Sequence, residues 1–254
     1  MSSLVGRLRA KLDQRADFGD VFMTSWSRLG ADEMERRPVY LERDGQVSLG
    51  DLFSLAGSPD GSIRLLGDLG RADRLGAGLA EGTITVEGDV GAEAGAGMTG
   101  GILEIEGDAG PRAGAAPPGY KRGMAGGELV VHGTCGEEAG ATMRRGTLVI
   151  GKAAGDRTGL GMIAGTVIVF GAAGRETGLW SKRGSVVALG KIEPPPTYTY
   201  ACTYQPVHLR LTLARLRDRF RLPVQRKHLA GSYRRYSGDM AELGRGEILA
   251  WTAQ

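Results

Sequence analysis

The residues able to do chemistry in this chain are few and scattered. Three histidines (His132, His208, His228) and two cysteines (Cys135, Cys202) are its strongest metal ligands or nucleophiles. His132 and Cys135 form an HxxC, but the pair spans a strand end and a corner, and no second pair completes a zinc site. Ser237-Gly238-Asp239 offers a hydroxyl beside a carboxylate, with no histidine near in sequence and no nucleophile-elbow motif. Asp68, Asp89 and Asp108 each follow a glycine, yet calcium-binding repeats need a denser glycine-aspartate nonapeptide. The stretch GDVGAEAGAGMTGG, Gly88 to Gly101, has the glycine content of a phosphate-cradling loop. That reading fails on context, because no copy opens a helix and several copies follow. The expectation is a chain with no catalytic residue, no metal and no bound cofactor of its own.

The elements that would hold these residues follow from a repeat. The 254 residues include 43 glycines, more than twice the usual share, and there is no Gly-X-Y period of collagen. Starting glycines at Gly61, Gly82, Gly101, Gly127, Gly146, Gly165 and Gly184 are spaced 21, 19, 26, 19, 19 and 19 residues apart. A fixed period of this size marks a solenoid. Positions two and four after each start are aliphatic, from Ile63 and Leu65 through Ile84 and Val86 to Val186 and Ala188. Alternation with period two places them on one face of a strand. The fold class expected is all-β dominated: a right-handed parallel β-helix of about seven Gly-rich rungs, with small helical N- and C-terminal flanks. Seven rungs at about 4.8 Å span roughly 30 Å. Two glycine columns, Gly91 to Gly174 and Gly95 to Gly178, read as corners, and Met98, Met124, Met143 and Met162 as a core stack between them.

Three segments are expected: a flank over 1–45, the repeats over 46–190, and a helix and tail packing on the solenoid over 191–254. The first flank carries a helical pattern at Val5, Leu8 and Leu12 and a short second helix near Ala31–Arg36. Val47–Leu55 alternates and reads as the opening rung. Pro194 to Pro196 end the coil. PVHLRLTLARLRDRF follows as a basic amphipathic helix striped with Leu209, Leu213, Leu216 and Phe220, suited to capping the open end of the solenoid. The tail closes on an apolar strand, Ile248 to Trp251.

Two surfaces invite partners. The outward strand position reads Arg64, Thr85 and Glu104, then Val130, Val149, Ile168 and Val187, with Phe170 alongside. From the fourth rung onward this strip must be covered, either by the chain's own ends or by a partner subunit. A basic edge comprises Lys121 and Arg122 in the insertion AAPPGYKRG, with Arg144, Arg145, Lys182 and Arg183 ahead of two later strands. It is a solvated rim or a contact for an acidic partner or polyanionic carrier. A formal net charge of +3 and few aromatics point away from nucleic acid. No apolar run suits a membrane span or signal peptide, so a cytoplasmic chain with reduced thiols is expected.

The corner pattern GxxGxxxGxxMxxG resembles the C-terminal domain of glutamate synthase large subunits and the C subunit of formylmethanofuran dehydrogenases. DRLGAGLAEGTITVEGDVGAEAGAGMTGG, YKRGMAGGELVVHGTCGEEAGATMRRGTLVIG and YRRYSGDMAELGRGEIL resemble that C subunit and its bacterial counterpart, the C subunit of the formyltransferase/hydrolase complex. The resemblance runs from about Val47 to the end. It implies a noncatalytic scaffold beside the A, B and D subunits. That complex passes a formyl group from tetrahydromethanopterin to methanofuran and hydrolyses it to formate, with zinc in another subunit. The alternatives are the C subunit of a tungsten or molybdenum formylmethanofuran dehydrogenase and a stand-alone interaction module of the glutamate synthase type.

Overall fold

Each repeat contributes one short strand of β-branched and aliphatic residues, and successive strands pair in parallel. The computed structural model describes residues 4–23, 26–57 and 60–253. Twelve strands form its main sheet: β1 Leu4–Leu8, β2 Phe53–Ala56, β3 Ser62–Leu66, β4 Thr83–Glu87, β5 Thr99–Ile105, β6 Ala125–Val131, β7 Arg145–Ile150, β8 Thr166–Val169, β9 Arg183–Ala188, β10 Thr199–Tyr204, β11 Ser232–Gly238 and β12 Arg245–Thr252. Their order is β10-β11-β12-β9-β8-β7-β6-β5-β4-β3-β1-β2. The strands from β3 to β9 pair in chain order and in parallel, and β12 joins parallel to β9.

The register stacks each residue on its counterpart one repeat away. Ile84, Leu103, Leu129, Leu148, Val167, Val186 and Ile248 form one continuous inward ladder. Each is no more than 2% exposed. A second column of parallel bridges joins Leu69, Val90, Ala109, Cys135, Ala154 and Ala173. Between them Met98, Met124, Met143 and Met162 are buried in the same core. The two glycine columns have different physical reasons. At Gly110 the backbone is ordinary, but a Cβ would lie 2.8 Å from the oxygen of Gly91 in the rung before, so the corner needs close approach. At Gly140 φ is +70°, the left-handed region that glycine enters freely.

Between those columns stands a ladder the glycine pattern conceals. Arg74, Glu93, Arg112, Glu138, Arg157 and Glu176 occupy one corner position per repeat, all with φ between 56° and 64°, and their charges alternate. Arg112 bridges Glu93 and Glu138 at 3.0 Å each, and Arg157 reaches Glu138 at 3.1 Å. A left-handed non-glycine residue costs about 1 kcal/mol. Alternation offsets part of that cost by giving each charge an opposite neighbour.

The flanks differ from expectation in three places. Leu4–Leu8 is a strand, not the start of a helix, and runs parallel to β3 as the opening rung. Leu4 and Gly6 face inward with the period of two of a strand, whereas Val5, Leu8 and Leu12 fit a helical stripe in the sequence. Val47–Leu55 is not that rung: it divides among the strand Gly45–Ser48, the helix Leu49–Leu52 and β2, which pairs antiparallel to β1. The expected helix near Ala31–Arg36 is present as Ala31–Glu35. Phe18, Phe22, Trp26 and Phe53 join the core below the first repeats, closing that end of the stack with aromatic rings.

The helix Val207–Phe220 does not cap the open end of the stack. It lies along the outer strip, and the far end of the stack is instead extended by β12, with β11 and β10 antiparallel beyond it. A strand satisfies the unpaired groups of β9 residue by residue, which a helix cannot do.

Reversing one charge in the ladder tests its role. Arg112→Glu sets three carboxylates in consecutive rungs and is expected to lower unfolding free energy by about 1–2 kcal/mol more than Arg112→Gln. Urea unfolding of both variants measures the difference; equal losses would show that the alternation contributes nothing.

Candidate functional site

Most of the sequence candidates for chemistry are buried or held by backbone and neighbouring side chains. Cys135 sits buried in the bridge column, and burial pushes its thiol far above the usual range. His132 faces outward instead, its Nε2 2.9 Å from Oε1 of Glu104, so the HxxC does not converge. His228 is buried against Trp251; its Nδ1 accepts the Gln225 N–H at 3.2 Å, and burial lowers its pKa. His208 is exposed in the first turn of the helix Val207–Phe220, and Cys202 lies exposed on β10. Among the described residues no three His, Cys, Asp or Glu side chains gather as a metal site.

The glycine-aspartate pairs brace corners. Oδ1 of Asp89 accepts the N–H of Asp108, and Oδ1 of Asp108 accepts the N–H of Thr134, both at 2.7 Å. Each carboxylate thus ties its corner to the following rung. Asp239 is fully buried, and its carboxylate accepts the Trp180 N–H at 2.7 Å and the Ala241 N–H at 2.8 Å. Ser237-Gly238-Asp239 therefore anchors the end of the stack.

The outer strip is covered by the chain itself. Val130, Val149, Ile168 and Val187, continued by Leu249, are buried under Leu209, Leu213, Leu216 and Phe220, with Phe170 partly buried at the margin. Arg215 fixes the helix in register, donating to both oxygens of Glu128 at 2.5 and 2.6 Å. Of the two covers the strip allowed, the terminal helix is the one present, so Val130, Val149, Ile168 and Val187 offer no free surface and Phe170 only its margin.

The helix stops where the strip turns polar, and a cleft of about 620 Å³ opens between its end and the first rungs. Arg64, Thr85, Glu104 and His132 line one side, Arg219 and Arg221 the other. Arg64 pairs with Glu87 at 2.5 Å and lies 3.8 Å from Glu106, so these side chains form an ion-pair lattice around the Glu104–His132 contact. Sequence reasoning missed the cleft; its one signal was the change from polar to apolar along the outward position.

The six residues of the basic edge fall at the insertion and at two strand starts. Lys121, Arg122, Arg144, Arg145, Lys182 and Arg183 are all exposed, and none is engaged in an ion pair among the described residues. Gly123, next to Arg122, donates its N–H to Thr142, and Arg144 donates to Met124. The insertion thus lies beside the strand start that carries Arg144 and Arg145, and Lys182 and Arg183 follow two rungs further on. The structure adds Arg245, which opens β12 as the direct partner of Arg183.

No protein-family model matches the chain. A curated protein, the C subunit of the formyltransferase/hydrolase complex Fhc of Methylorubrum extorquens, is 38% identical over 91 residues; the match spans 36% of this chain and 33% of that protein. The similarity in three dimensions is far longer. A chain in the crystal structure of the formyltransferase/hydrolase complex (FhcABCD) from Methylorubrum extorquens in complex with methylofuran matches with a TM-score of 0.79 at 34% identity. The match covers 98% of this chain and all of that one.

Two substitutions distinguish the forces holding the helix. Arg215→Ala removes a half-exposed bidentate pair, at an expected cost of about 1 kcal/mol. Val149→Asp buries a carboxylate under the helix, at about 3 kcal/mol or more. Hydrogen exchange over 207–220 is expected to rise slightly in the first and sharply in the second, with β4 to β7 still protected. Unchanged exchange in Val149→Asp would mean that the strip does not hold the helix.

Proposed function

Because the chain belongs to the family of the C subunit of the formyltransferase/hydrolase complex, we propose that it is the noncatalytic scaffold of such a complex, assembled with the A, B and D subunits. The observation that carries the reading is the correspondence of nearly the whole chain, 98% of it, with one chain of that complex. The local chemistry supports it: Cys135, His228, Asp89, Asp108 and Asp239 serve a bridge column, a helix start, two corners and the end of the stack.

In this reading the repeats form a right-handed parallel β-helix, supported by the in-register parallel strands and the bridge column. The coil is a stiff rod, since every rung is tied to the next by backbone hydrogen bonds. Its contribution is position: it holds the subunit that transfers the formyl group from tetrahydromethanopterin to methanofuran at a fixed distance from the one that hydrolyses formylmethanofuran to formate. The two carriers and the hydrolytic zinc belong to those neighbours. The basic edge, with seven exposed cations once Arg245 is included, faces an acidic partner surface or a carboxylate-rich carrier. A cytoplasmic location fits the reading, and none of the described helices is long and apolar enough to cross a membrane.

Native mass spectrometry of the tagged chain from its own host tests this. Three further subunits and formyl-transfer activity are expected to accompany it; a lone chain, active or inactive, would contradict the scaffold. In the assembled complex, Arg144→Glu with Arg145→Glu is expected to reduce subunit affinity or raise carrier KM by about tenfold. Assembly and activity both unchanged would free the edge of that role.

A further inference from the structure

The last repeat breaks its own pattern at one residue. In four earlier repeats a single corner position holds Gly78, Gly97, Thr142 or Gly161, each at φ between 55° and 67°. Each donates its N–H to a carbonyl of the following rung, on Ala96, Ala115, Leu160 and Leu179 in turn. Trp180 takes that position last, at φ 59°, and although β12 continues the strand side no further corner follows it. The carboxylate of Asp239 accepts its N–H instead. The backbone is thereby satisfied, but the indole is not: Trp180 remains 53% exposed, and Met240 and Leu243, on the loop that Asp239 anchors, are each 55% exposed. A bulky residue thus stands at a left-handed corner that glycine fills in three other repeats, with half its surface in water.

The basic edge begins beside this patch. Its strand-start positions read Arg144-Arg145, Ile163-Ala164, Lys182-Arg183 and Gly244-Arg245, with no acid among them. Arg183 and Arg245 are direct register partners, both exposed and neither ion-paired among the described residues. Like charges directly opposite each other on neighbouring strands repel, and a facing anion relieves them. Glu176 and Glu242 are the exposed acids nearby, one at the end of the corner ladder and one within the loop.

We infer that Trp180, Met240 and Leu243 seat in an apolar pocket of another subunit of the complex, whose rim carries carboxylates facing Arg183 and Arg245. A half-exposed tryptophan beside arginines is the composition of an interface hot spot. A second copy of this chain fits less well, because a two-fold contact would bring together two patches that each set Lys182, Arg183 and Arg245 against only Glu176 and Glu242. The inference rests on the subunit reading above.

Trp180→Gly separates docking from folding, since glycine suits the corner and removes the indole. The isolated variant is expected to melt at or above the wild-type temperature. Its rebinding to the remaining subunits, purified from the complex, is expected to weaken about tenfold or more. Met240→Ser with Leu243→Ser should weaken it similarly, and Arg183→Glu with Arg245→Glu should also flatten its salt dependence. Rebinding within about twofold of wild type for all three overturns this inference alone. So does a wild-type dimer that Trp180→Gly dissolves, which would make a second copy the occupant. A wild-type chain that rebinds no other subunit overturns the subunit reading with it.

Discussion

Everything in this molecule depends on one constraint: the backbone of each rung hydrogen bonds to the rung before it at the same positions, so every side chain stacks on its counterpart one repeat away. Aliphatic residues stacked this way make a continuous core with few aromatics. Ile84, Leu103, Leu129, Leu148, Val167 and Val186 then need only similar volumes to pack. Charges stacked the same way would repel, and the corner ladder from Arg74 to Glu176 answers by alternating sign. At the basic edge the sign does not alternate, and Arg183 sits against Arg245. The contrast between the two columns separates a charge pattern satisfied within the chain from one with no opposite charge paired to it among the described residues.

The same constraint makes the ends of the stack its weak points, because a stack can satisfy every rung except the first and last. At the start, β1 pairs parallel to β3, and Phe18, Phe22 and Trp26 close the core. At the finish, β12 completes the strand side, while on the corner side the carboxylate of Asp239 stands in for a carbonyl. The helix Val207–Phe220 covers the flank rather than the end, because the apolar demand lies there, on Val130 to Leu249.

Most of the stack was legible in the sequence because period and alternation are local signals. The rung starts, inward ladders, glycine corners and methionine column all follow from spacing alone. Leu4–Leu8 was not, since five residues fit a helical stripe and a strand equally well. The position of β12 was also hidden: a strand that rejoins the sheet more than fifty residues after β9 leaves no periodic trace. Arg245 could not be assigned to the basic edge for that reason, whereas the other six cations could. The apolar strip announced that it must be covered, but two covers have the same sequence signature, and only the structure puts Leu209, Leu213 and Leu216 there. The cleft at Glu104 and His132 arises where that cover ends, a place set by the length of the helix rather than by any motif.

If the chain is a scaffold, its polar cleft at Glu104 and His132 takes no part in the chemistry. The measurement that tests this most directly is steady-state kinetics of the assembled complex carrying Glu104→Gln with His132→Gln. Formyl transfer and hydrolysis are each predicted to stay within about twofold of wild type, since general acid–base groups contribute about a hundredfold or more when they act. A loss of that size, with assembly intact, would contradict the scaffold role and place a catalytic group on this chain.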